Sequence, residues 1–406
     1  MRGATLADGA VKSILISDEH VDAVGADAER LARQAAVPEL DLAGFLLLPA
    51  AAEPHAHLDK ALLSERVPIR AGDLRGAIEA VRNAYASMTS EDVANRARLA
   101  LRIAVTHGFT AVRTHVDCEE GIDTAAVTAL VQLRDAVGET LDLQVMAMAG
   151  HPLTGRSGAR NRRLLVAALA AGADGVGGAP ALDDDPAGAV DELVRSAADA
   201  GIPIDLHLDE TLDPGSLTIA RFIERVERHG LAGRATASHC VSLGQLDAGA
   251  ARVIAERLAG SGIGVVTLPQ TNLYLQGRDA PTRVPRALTA IAALRAAGVV
   301  VAGGGDNWRD PFNPVARIDP LETASLLVTA GHLSVPDAYA AVSTIARQVM
   351  GLPDAGLRPG SVADLLAVRA PSLGDAIAQA GEDRLVFRRG RVISRTHVES
   401  DAVPDI

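Results

Sequence analysis

The chain has 406 residues, of which 48% are hydrophobic, and a formal net charge of −12. That length asks for a large barrel or two domains around a substantial core, and the acidic balance argues against a nucleic-acid backbone or an anionic membrane as partner. With only Cys118 and Cys240, no apolar run of about 18 residues and no long apolar N-terminal stretch, disulfide frameworks, cysteine zinc clusters, membrane spans and signal peptides are not expected.

In chain order, the first segment holds the short runs "AVKSILI" and "HVDAVG", which read as β-strands with turns. Eight brief apolar runs follow: "GFLLLP" at Gly44, "FTAVRTHVD" at Phe109, "DLQVMAMAG" at Asp142, "ADGVGGAP" at Ala173, "IPIDLHLDE" at Ile202, "ATASHC" at Ala235, "GIGVVTLP" at Gly262 and "GVVVAGGGD" at Gly298. Between them lie stretches such as "EDVANRARLALRIAVTHG" and "DPAGAVDELVRSAADAG", with apolar residues at helical spacing and a terminal glycine. This alternation predicts the α/β class and a parallel (β/α)8 TIM barrel over 49–356. A doubly wound open sheet would want a glycine fingerprint after its first strand, and "EPHAHLD" is not one. From Leu357 the runs "LRPGSVADLLAVRA" and "DRLVFRRGRVIS" again read as strands. Segments 1–48 and 357–406 are therefore expected to pair into a small β-sandwich domain beside the barrel.

In such a barrel, function gathers at the C-terminal ends of the strands. His55 and His57 follow the first apolar run and share one face, because side chains alternate along a strand. His207 ends the fifth run, with Glu210 three residues later; His239 ends the sixth; Asp306 follows three glycines at the end of the eighth. Nitrogen and oxygen donors converging from several strands suit a zinc or iron ion with one position left open for water. His55, His57, His207 and Asp306 are the candidate ligands. Glu210 is a candidate proton shuttle, and His239 a candidate catalytic residue. His115 and Asp117 either orient a ligand or fill the barrel. Cys118 and Cys240 read as small barrel-filling residues.

The ordered set "EPHAHLD", "VRTHVD", "HLDE", "SHC", "NLYLQGR" and "GGDNWRDPFNP" resembles the cytosine deaminase branch of the amidohydrolase superfamily, over about Gly44 to Pro314. "GLRPGSVADLLAV" is similar to that superfamily's closing β-segment. The resemblance implies one metal ion, zinc or iron, held by His55, His57, His207 and Asp306. Two-metal relatives bridge their ions with a lysine carboxylate at the fourth strand, and here that strand ends "GVGGAP". The resemblance also implies that Glu210 carries a proton to a ring nitrogen, and that His239 holds the attacking water or the developing oxyanion. Asp306 would take the water's proton.

The substrate-binding set implied in the same way is Gly150, His151, Gln276, Asn307, Trp308 and Phe312. Gly150 stands where cytosine deaminases of this type carry a glutamine that reads the pyrimidine edge. Its small size is expected to free space for a larger ring, and Trp308 and Phe312 to cover that ring. The basic stretch "GHPLTGRSGARNRR" reads as a solvated helix start rather than an anion site. The expected function is hydrolytic deamination of a small aminated heterocycle by a cytoplasmic enzyme. Hydrolysis of an N-alkylamine on a triazine-type ring, or of a cyclic amide, is the rival within the superfamily; a non-catalytic binding barrel is the rival outside it. Oligomeric state, including a homo-oligomer, is left open.

Overall fold

The alternation of apolar runs and helices forms one parallel sheet of eight strands, each beside its sequence neighbours. The computed structural model describes residues 1–35, 37–69 and 72–399. Residues 400–406 of the expected C-terminal segment lie outside the described residues. The barrel strands are β1 (Ala51–Ala56), β2 (Phe109–Cys118), β3 (Asp142–Ala149), β4 (Gly175–Gly178), β5 (Ile204–Leu208), β6 (Ala235–His239), β7 (Gly264–Thr267) and β8 (Val301–Gly303). β1 and β8 close the ring through a parallel bridge between Ala56 and Asp306, with the Asp306 amide donating to the His55 carbonyl at 3.0 Å.

Strands buried on both faces read as continuous Val, Ile, Leu and Ala runs, and that is how these read. Helices surround them. Four matter below: α1 (Leu74–Ala84), α2 (Pro186–Ala200), α3 (Ile219–His229) and α4 (Pro269–Leu275). Asp73 starts α1 by accepting from the Gly76 amide, a side-chain cap on one of the helix's orphan donors.

One expected strand belongs elsewhere. "GFLLLP" is not the first barrel strand. Phe45–Pro49 pairs antiparallel with Leu365–Arg369 and parallel with Ala4–Thr5, in a separate six-stranded sheet. His55 stands on the next run, "AAAEPHA", and His57 just beyond it. A two-stranded sheet, Ile14–Ser17 with His20–Val24, packs near that sheet around Ile14, Val21, Leu47, Leu365 and Phe387. The N-terminal segment also contains a helix, Ala26–Ala35, that was not expected.

Candidate active site

The polar residues come together at the C-terminal mouth of the barrel. His55 Nε2 lies 3.1 Å from His207 Nε2, and His207 Nε2 lies 3.2 Å from His57 Nε2. Asp306 Oδ1 lies 3.2 Å from His57 Nε2 and 3.8 Å from His55 Nε2. Ligands held about 2.1 Å from a common centre at tetrahedral angles are roughly 3.4 Å apart. Both carboxylate oxygens of Asp306 are buried without a hydrogen-bond partner among the described residues. Burial, then the neighbouring imidazoles, hold His55 and His207 well below the usual histidine range. Burial, then the Lys60 ammonium, do the same to His57. Neutral imidazoles present lone pairs, so the set fits a divalent metal.

The layer beneath orients these donors. Ser238 Oγ donates to Asp205 Oδ1 at 2.7 Å and so accepts from His55 Nδ1 at 2.9 Å, which leaves Nε2 of His55 as a bare donor. Asp205 in turn accepts from Arg113 at 3.0 Å. Glu53 accepts from the His55 amide at 3.1 Å and from the Gly305 amide at 2.8 Å, stitching β1 to the segment after β8. A Cβ on Gly304 would stand 2.5 Å from the Glu53 carboxylate, which explains part of the glycine run. His115 stacks on His55 with centroids 4.0 Å apart, and its Nε2 is 3.6 Å from Asp205, so it packs against a candidate ligand.

Glu210 and His239 stand together beside Asp306. His239 Nδ1 lies 3.0 Å from Asn272 Nδ2 on α4 and 3.3 Å from Glu210 Oε1; its Nε2 lies 3.9 Å from Asp306 Oδ2. Burial, then Asp306, push the Glu210 carboxyl well above the usual range, which favours its protonated form. His239 and Asp306 both adopt positive φ, 67° and 62°. Such strain in non-glycine residues gathers where surrounding structure fixes a functional side chain.

These groups open into a cavity of ≈ 340 Å³. His57, His207, Glu210, His239, Asp306, Asn307, Phe312, Gly150 and His151 all line it. Asn307 spends its amide on Asp310, at 2.8 Å, and on Thr271. Two expected contacts are not made. Trp308 is buried behind the site with its ring 6.1 Å from Phe109, so it packs the core rather than covering a ring. Gln276 lies off the cavity wall and donates to the Glu210 carbonyl at 3.0 Å, holding that loop in place. Gly150 leaves no void: a Cβ there would meet Glu119 Cβ at 2.1 Å.

The sequence reading missed the other cavity wall. Lys60 donates to Asp117 at 2.9 Å and lies 3.3 Å from His57 Nδ1. The Tyr85 hydroxyl lies 2.9 Å from Asp117 and 2.7 Å from Glu119, and its one proton serves either carboxylate. Arg82 clasps Glu119 from Nε at 2.9 Å and from Nη2 at 2.5 Å. Two arginines of the basic stretch turn to a carboxylate and a carbonyl: Arg160 pairs with Glu120, and Arg162 donates to the Leu153 carbonyl.

A closed (β/α)8 barrel with histidine and aspartate donors at its mouth defines a metal-dependent hydrolase. The sequence profile of the amidohydrolase family matches residues 69–393, and the chain belongs to that family. It is 34% identical over 397 residues to a pterin deaminase of Rhizobium rhizogenes, covering 96% of this chain and 87% of the relative. The crystal structure of a 5-methylcytosine deaminase from Klebsiella pneumoniae superposes with a TM-score of 0.87 at 28% identity, covering 99% of this chain and 98% of that one. An N-isopropylammelide isopropylaminohydrolase from Burkholderia multivorans superposes at 0.81 and 28%, covering 97% of each chain. Within the family the chain therefore falls in the deaminase-like branch, among hydrolases of non-peptide C–N bonds. No described helix is long and apolar enough to cross a membrane.

Proposed function

We propose that this protein hydrolytically deaminates a small aminated nitrogen heterocycle, with a fused aminopyrimidine of the pterin type as the leading substrate class. The observation that carries the reading is the convergence of four buried donor atoms beside the buried Glu210 carboxyl. The identity to the pterin deaminase supports the ring class.

His55, His57, His207 and Asp306 would hold one zinc or iron ion. A single ion is favoured because the His115 imidazole fills the space before Gly177, where a Cβ would lie 2.9 Å from its Nδ1. When bound, the ion supplies a Lewis acid that lowers the pKa of a water toward ~7. Asp306, through its unpartnered Oδ2, accepts the proton of the attacking water. Glu210 gives its own proton to the adjacent ring nitrogen, then relays the water's proton to the departing amine, which leaves as ammonia. His239 accepts from Asn272 at Nδ1 and so presents Nε2–H toward the cavity, where it steadies developing negative charge. The described parts of the segments 1–48 and 357–406 would form a unit that braces the barrel from outside this chemistry.

A second reading, release of an alkylamine from a triazine-type ring, is favoured by the likeness to the isopropylaminohydrolase. One experiment separates the two. Purified enzyme is assayed for metal, then screened against aminated pyrimidines, purines, pterins and N-alkylated triazines for ammonia and for alkylamine. The first reading expects ammonia from a pterin. Glu210→Gln should keep its metal and lose roughly 100-fold or more in kcat. Wild-type kcat in that variant removes the proton role, and equal activity in metal-free protein removes the reading as a whole.

A further inference from the structure

One wall of the cavity carries a ladder of charged and polar groups, Lys60, Asp117, Tyr85, Glu119 and Arg82, whose inner rungs are paired with one another. Asp117 accepts from Lys60 on one oxygen, and its other oxygen lies 2.9 Å from the Tyr85 hydroxyl. Glu119 accepts from Tyr85 and Arg82. Both carboxylates are held by these neighbours. Arg82 differs. Its Nε and Nη2 are held by Glu119, and Nη2 also lies 3.1 Å from His151 Nε2, while Nη1 makes no hydrogen bond among the described residues. The side chain is 38% exposed and lines the cavity. A guanidinium fixed along one edge offers its other edge pre-organised.

The position of that free edge sets the reach. Four residues, Lys60, Asp117, Tyr85 and Glu119, stand between His57 and Arg82 in the ladder. Asp117 lies two residues beyond His115 on β2, roughly 6.6 Å further out at strand spacing, and Glu119 lies beyond that. The same cavity also offers apolar surface from Leu74, Ile78 and Val81 of α1, Met148 and Phe312. A single ring seated at the metal donors falls short of Arg82. A flat fused pair of rings, its faces against that apolar surface, brings an acceptor to it. Because Glu119 neutralises the guanidinium, the match is an oxo group or ring nitrogen rather than a phosphate. Gly150 belongs to the same arrangement, since Glu119 fills the space that a side chain there would need.

Building on the deaminase reading, we infer that Arg82, fixed by Glu119, is a specificity-determining residue: its free Nη1 donates to an acceptor on the far ring of a fused aminopyrimidine. The test uses metal-loaded full-length enzyme with Arg82→Met and Arg82→Lys. Losing one hydrogen bond from a charged group should raise KM for pterin by roughly tenfold or more. KM should carry most of the loss and kcat the lesser part, and the ratio of kcat/KM for pterin over cytosine should fall by at least the same factor. R82K, which keeps a cation against Glu119 without the planar fork, should fall between. A purely structural role would lower both rings' values together and leave that ratio fixed, which overturns the inference, as does a pterin KM within twofold of wild type. Should the unsubstituted enzyme release ammonia from no ring, the deaminase reading has failed, and calorimetric titration with lumazine decides about Arg82 separately. Weaker lumazine binding in R82M sustains the inference; equal binding, or none to the unsubstituted enzyme, overturns it.

Discussion

Gly150 shows how a glycine acts by what it admits. Its missing side chain lets Glu119 reach the end of β3, and Glu119 is the residue that holds Arg82. A glutamine at 150 would overlap Glu119 Cβ and force strand end and carboxylate apart, an overpacking that costs about 1–3 kcal/mol. Gly150→Gln should therefore lower the denaturation midpoint and reduce kcat/KM on every ring. It should not convert the enzyme to cytosine. A variant of wild-type stability with improved cytosine turnover would show that Glu119 can move aside. The ligand candidates were legible in the sequence because histidine and aspartate at strand ends have few other uses. Their supports were legible in principle. Glu53 precedes His55 by two, Arg113 precedes His115 by two, and Asp205 precedes His207 by two, the period that puts each on its neighbour's face one layer deeper. A charge inside an otherwise apolar strand was the signal. Arg82 and Tyr85 gave no such signal, because on an isolated helix they read as ordinary surface residues.

Among the elements, the eight barrel strands were readable from apolar runs bounded by turns, and one was assigned a run too early. The strands Phe45–Pro49 and Ala51–Ala56 are adjacent, largely buried, and separated only by Ala50. Periodicity cannot tell which of two such runs enters the barrel; pairing with Leu365–Arg369, more than 300 residues away, decides it. Helix packing offers a sharper test. Asp191 on α2 is gripped by Arg221 and Arg225 on α3, with contacts of 2.6–2.8 Å. Burial alone would raise its carboxyl, but hydrogen bonds from the two arginines outweigh that and bring it from the ordinary 3.8 to about 2. A pKa depressed in the folded state gives stability that is present above the unfolded value and lost as pH falls through the folded one. Asp191→Asn should therefore lower Tm at pH 7, by roughly 1–3 °C given how far the pair is exposed to solvent. At pH 3 about half of that difference should remain. A gap that stays constant from pH 7 to pH 3 would mean that the grip is not electrostatic.

At the scale of the whole molecule, the candidate metal donors lie across the one seam of the barrel. His55 and His57 belong to β1 and the segment after it, Asp306 follows β8, and His207 sits across the ring on β5. Elsewhere neighbouring strands share ladders of three or more residue pairs, whereas among the described residues β1 meets the β8 side through one bridge, Ala56 to Asp306, reinforced by Glu53. An ion held by these four residues would join first strand to last, and would bind only the folded chain, because no unfolded chain gathers donors from positions so far apart in sequence. Ligand at a thousandfold excess over its Kd stabilises the folded state by about 4 kcal/mol. Removing metal with a chelator should then lower Tm by roughly 5 °C or more, and adding back zinc or iron should restore it. The loss should be local first: the Gly305 and Asp306 amides should exchange with solvent faster than the β5 and β6 amides, which keep their full ladders. His207→Ala should begin near the chelated Tm and respond little to added metal. If chelation leaves Tm and the exchange of the seam amides unchanged while activity disappears, the ion serves chemistry alone, and Glu53 with the Ala56 bridge suffices to close the barrel.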